Sequence, residues 1–122
     1  MSYKTIVVQV DASRNADRRI KAAALIAVAE NAHLIGVATT GVSQFLQETV
    51  SMNRNDPAIA PLLDTLRKRA SVPLETFDKI VRQVGVLSFE NRLVDDDVTG
   101  GISLHGAYSD LLVLGQGDLS DP

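Results

Sequence analysis

Asp11 is the first residue whose type and place could do chemistry. It closes the run TIVVQV at residues 5–10 and is followed by Ala12 and Ser13, where the chain turns helical. That order puts a carboxylate and an expected helix N-cap, Ser13, at the carboxyl end of a strand. In open α/β sheets the crevice at that end is where ligands bind. A second chemically suggestive pair, Gly115 and Gly117, follows the run LLVL at 111–114. Glycines at a strand exit let main chain approach a phosphate closely, although a plain exit turn asks for the same residues.

Other candidates carry less. Asp95, Asp96 and Asp97 offer oxygen ligands of the kind Mg²⁺ and Ca²⁺ take, but three acids between a strand and a helix are expected to complement the helix dipole instead. His33 and His105 lack the spacing of a ligand pair, and the chain has no cysteine. The serines stand in no nucleophile-elbow context, so no catalytic residue and no metal ligand is assigned.

The elements that must position Asp11 follow from patterning. Residues 5–10 are apolar on both faces apart from Gln9, as in the middle of a parallel sheet covered by helices. Residues 14–31 are Ala-rich and place Ile20, Ala23, Ala24, Ala27 and Val28 on one helical face. Residues 34–40, LIGVATT, read as a second strand, so the first forty residues form a βαβ unit. A long connection without strong period occupies 41–56. Residues 58–84 give a second helical pattern with Leu63, Leu66, Ala70, Leu74, Phe77, Val81 and Val84 on one stripe. Pro73 predicts a kink there or a break near Ser71, and Gly85 a stop. Residues 87–94 alternate as an edge strand would, 99–108 suggest a short helix, and LLVL is a short apolar strand. An apolar strand left at an edge recruits a neighbour, so self-association or a second domain is expected there.

Size and composition bound the rest. At 122 residues this is one domain, 1–122, large enough to need no metal or disulfide staple. A net charge of −3 with scattered basic residues, and only 4% aromatic residues without tryptophan, argue against nucleic acid as partner. The apolar run at 22–29 is too short to span a bilayer. No signal peptide is visible, and a cytoplasmic location is expected.

Three stretches, KTIVVQVDAS at the start, AHLIGVATT at the second strand and SLHGAYSDLLVLGQGDLSDP at the end, resemble the universal stress protein family over essentially the whole chain. The last is similar to the ARYADLVVLGQ signature of bacterial members, particularly those with two domains in tandem. The resemblance implies an α/β fold, a three-layer open parallel sheet with helices on both faces. Its strand order would be 3-2-1-4, with the usual fifth strand missing from this chain. It also implies a dimer, or pairing with a second domain of the same fold through the last strand. In nucleotide-binding members the carboxylate after the first strand contacts the ribose, and main chain at the end of the second reads adenine. Carried over, these are Asp11 and Ala38 or Thr39, with Leu114, Gly115 and Gly117 beneath the phosphates.

The family's phosphate loop reads G-x-x-G, nine residues, then G-S or G-T. Here Gly115-Gln116-Gly117-Asp118 puts an acid at the fourth position, where it would repel phosphate. The expectation is a non-enzymatic stress-response domain with weak binding of ATP or another adenine nucleotide. The alternative is an ATP-binding, slowly hydrolysing domain whose phosphate loop is completed outside this chain. A receiver domain fits less well, because Ala12 stands where a second acid should follow Asp11 and no lysine follows Lys79.

Overall fold

The computed structural model describes residues 3–42, 59–95 and 109–115. In chain order the described elements are β1 (Thr5–Gln9), α1 (Ala16–Glu30), β2 (His33–Thr39), α2 (Ile59–Val84), β3 (Phe89–Val94) and β4 (Leu111–Val113). The four strands make one parallel sheet in the order β3-β2-β1-β4. This is the expected order, with 87–94 at one edge and the apolar run LLVL at the other edge of the described sheet.

β1 is central because it can be buried on both faces. Ile6 and Val8 point into the core shared with α1 and α2, where Ile20, Ala23, Ala24, Phe77 and Val81 are buried. Val7, alternating to the other face, is buried with Ile35 and Val37 against Val94 and Leu112. Both described helices lie on the Ile6 face, and the helix expected over 99–108 lies outside the described residues. The β1–β4 pairing is fastened at its start by Asp110, whose Oδ2 accepts the main-chain N–H groups of Lys4 at 2.8 Å and Thr5 at 3.0 Å. Those two bonds hold the Asp110 carboxyl below the usual carboxylate range.

Three local expectations change. Ser13 is not the cap of α1: the helix starts at Ala16 behind Asn15, which makes no side-chain cap bond, and Ser13 instead turns its hydroxyl to Asp11. Val28 is 47% exposed, because the alanine face at 23, 24 and 27 already fills the contact with the sheet. Pro73 does not break the second helix, which runs unbroken through Ile59–Val84 with the proline ring buried. Its C-terminus ends where expected, at Gly85 with φ 96°, as the N–H groups of Gly85 and Val86 both reach the Val81 carbonyl.

One glycine is set by packing. A Cβ on Gly36 would lie 2.8 to 2.9 Å from three atoms of the Phe77 ring, which is fully buried and meets Phe89 edge-on at 6.3 Å. Gly36→Ala is therefore expected to lower stability by about 1–3 kcal/mol, read as a shifted urea midpoint with an unchanged slope; a neutral substitution would contradict this packing.

Candidate functional site

The carboxyl ends of β1 and β2 and the first half of α2 enclose an open groove of about 240 Å³. Its walls are residues 9–12, residues 38–40, and Leu66, Arg69, Ala70 and Pro73 of α2. A second hollow of about 200 Å³ shares Asp11, Ala12 and Pro73 with it. The groove exists because α2 is longer than the sheet it covers. Its 26 residues rise about 39 Å, against about 23 Å for seven residues of strand. Its buried positions are Ile59 in the first turn and Pro73, Leu74, Phe77 and Val81 in the later ones, and the turns between them, from which Leu66, Arg69 and Ala70 line the groove, lie over the strand ends.

The overhang is tied down. Arg67 donates to both oxygens of Asp95, from Nη2 at 2.8 Å and from Nε at 3.1 and 3.3 Å. Thr40 donates its hydroxyl to the same carboxylate at 3.1 Å and accepts the Val42 N–H at 3.1 Å. Asp95 thus links the exits of β2 and β3 to α2, and the helix start expected beyond it lies outside the described residues. Asp96 and Asp97 lie outside the described residues, and among the described residues no group of three acids or histidines could hold a metal ion.

Of the sequence-predicted site residues, Asp11, Ala38 and Thr39 come together in the groove. Leu114 and Gly115 do not line it: Leu114 is exposed at the end of β4 and Gly115 faces α1. Gly117 lies outside the described residues. Asp11 is already engaged. Its Oδ1 accepts the Ser13 N–H at 3.0 Å and the Ser13 hydroxyl at 2.5 Å, and its Oδ2 accepts the Gln9 amide at 3.3 Å. Arg19 Nη1 approaches Oδ2 at 3.5 Å. The Asp11 side chain nonetheless keeps 37% exposure.

Two residues that sequence reasoning did not assign to the site govern the Gly115 side. Arg19, only 8% exposed, donates to the Gln9 carbonyl at 2.9 Å and to the Ser13 hydroxyl at 3.2 Å. Its guanidinium lies against Gly115, where a Cβ would fall 2.6 Å from Cζ. Gln9 accepts the Gly115 N–H at 3.1 Å. The main chain expected beneath a phosphate is thus covered by an internal cation, and its N–H is taken. Gln9 was visible as the one polar residue in an apolar strand; Arg19 was one of several basic residues on a helix.

At the opposite end of the sheet His33 bridges Ser88 at 2.6 Å and Glu90 at 2.9 Å. His33 first, and Arg92 second, hold the Glu90 carboxyl below its usual range. This cluster sits at the starts of β2 and β3, away from the groove. His105 lies outside the described residues.

The Asp95 carboxyl is lowered by Arg67 first and Thr40 among the further causes. A carboxylate lowered on folding adds stability above its unfolded pKa, and that stability is lost as pH falls through the folded value. Asp95→Asn should therefore lower the urea midpoint at neutral pH, with the difference from wild type shrinking below the ordinary aspartate range of about 3.9. A difference that stays constant into strong acid would contradict the tether.

No family model matches the chain, and no curated protein does. Solved structures do share its fold. Universal stress protein UspA from Lactobacillus plantarum aligns at a TM-score of 0.76 and 22% identity, over 98% of this chain and 82% of that one. A universal stress protein family member from Burkholderia pseudomallei aligns at 0.68 and 25% identity, over 93% and 82%. A universal stress protein in complex with cAMP aligns at 0.60 and 23% identity, over 92% and 71%. The α/β architecture with a parallel sheet in the order 3-2-1-4 matches these structures, and the chain has the fold of universal stress proteins.

Proposed function

We propose that this domain is a non-enzymatic stress-response module that binds an adenine nucleotide weakly at the carboxyl end of its sheet. Ala38 and Thr39 line the base end and Asp11 the ribose end of the groove. The observation that carries the reading is the Arg19 guanidinium on Gly115. It occupies the seat a polyphosphate would need, so base and ribose contacts must supply most of the affinity. The groove's size agrees, since about 240 Å³ falls below the roughly 300–1,000 Å³ of sites that enclose larger ligands. The similar structure solved with cAMP supports a nucleotide as the class of ligand.

A second reading, a nucleotide-hydrolysing domain, would need Arg19 to leave Gly115. The edge of β4 belongs to the proposal as the surface for a second copy or a second domain of the same fold, because Leu111–Val113 pairs with β1 alone among the described strands. A cytoplasmic location goes with this reading. Among the described residues no helix is long and apolar enough to cross a membrane.

ATP with Mg²⁺ at a fixed concentration of about 1 mM, comparable to the dissociation constant of a weak site, should raise the melting temperature by only about 1–3 °C. Asp11→Ala should abolish that rise, and no phosphate should be released. A large shift that vanishes in Asp11→Ala, or steady turnover of ATP, would replace this proposal with the hydrolysing one.

A further inference from the structure

The first half of α2 carries three consecutive cations, Arg67, Lys68 and Arg69. Arg67 is committed to Asp95 and Lys68 to Asp64 at 3.0 Å. Arg69 instead lines the groove together with Asp11, Ala38 and Thr39. Pro73, one turn later on the same wall, has no N–H to give the Arg69 carbonyl, so this turn has less internal hydrogen bonding than its neighbours. Small side chains at Ala12, Ala38 and Ala70 leave room for a flat ring, and Leu66 and Pro73 add apolar wall beside them. The groove therefore combines a place for a ring, a carboxylate that accepts from hydroxyls, and a guanidinium that pairs with an anion.

We infer that Arg69 is a specificity-determining residue that binds the phosphoryl group of a nucleoside monophosphate, on the α2 side of the groove and away from Gly115. This rests on the nucleotide reading above and names the phosphate class that the site takes. Arg19 closes the β4 side, and among the described residues the only groove-lining cation is Arg69 on α2, so a single phosphoryl group is directed toward the helix. A triphosphate adds negative charge for which the groove has no second cation among its lining residues.

Calorimetric titration with adenosine and with AMP tests this on wild type, Arg69→Gln and Lys68→Gln. Wild type should bind AMP about tenfold more tightly than adenosine, the size of one charge-assisted contact. Arg69→Gln should remove that preference and leave adenosine binding unchanged, which also shows that the variant is folded. Lys68→Gln, which deletes an equal charge one position away, should keep AMP affinity within about twofold. Equal affinity of wild type for AMP and adenosine, or equal losses in the two variants, would overturn the role of Arg69 while the nucleoside site stands. Absence of binding by either ligand would overturn the nucleotide reading and this inference with it.

Discussion

A guanidinium with 8% exposure must find acceptors for its donors, because an unpaired buried donor costs about 1–3 kcal/mol. Arg19 finds them in the Gln9 carbonyl and the Ser13 hydroxyl, with the Asp11 carboxylate beside it. This arrangement dictates much of what surrounds it. Ser13 is drawn inward and gives up the helix cap. Gln9, polar in an otherwise apolar strand, is satisfied because its side chain joins Asp11 to the Gly115 N–H, while its main-chain carbonyl serves Arg19. A Cβ on residue 115 would meet the guanidinium, the far end of a flexible side chain that would have to move aside. The exit of β4 and the first turns of α1 are thus joined through one arginine, which lies against Gly115 and bonds to Gln9 and Ser13.

The groove on the other side of β1 has a different origin. It is made by helix length, since α2 continues past the strands that bury its later turns. An overhanging amphipathic half-helix would fray if it were held only by its own hydrogen bonds. The Arg67–Asp95–Thr40 connection ties it to the ends of β2 and β3. Stability of the wall and shape of the site therefore depend on the same surface ion pair. The adjacent Arg69 lines the groove, while Arg67 pairs with Asp95.

The fold was legible because its signals are repeated at several levels. The apolar run of β1, the alanine face of α1 and the alternating pattern of β3 each named an element and its place in the sheet. Gly85 marked the end of α2. Of the two outcomes Pro73 suggested, the break near Ser71 does not occur, and the proline ring is buried within a continuous helix. Val28 misled because periodicity says which residues share a face, and not how wide the buried stripe is. In the site, Asp11 was visible from its position after β1, while Ala38 and Thr39 came from family likeness and do share its groove. Arg19 and Arg69 were not legible: each stood among similar cations, and only the tertiary arrangement distinguishes a buried or groove-facing arginine from a solvated one.

The central claim is that a nucleotide enters between β1, β2 and α2 while Arg19 keeps the Gly115 side closed. Titration of isotope-labelled protein with AMP, followed through backbone amide chemical shifts, tests it most directly. The account predicts shifts at Asp11, Ala12, Ala38, Thr39 and Arg69, with the Gly115 amide unmoved in its bond to Gln9. Shifts centred on Gly115 and Arg19, with the α2 wall silent, would contradict it.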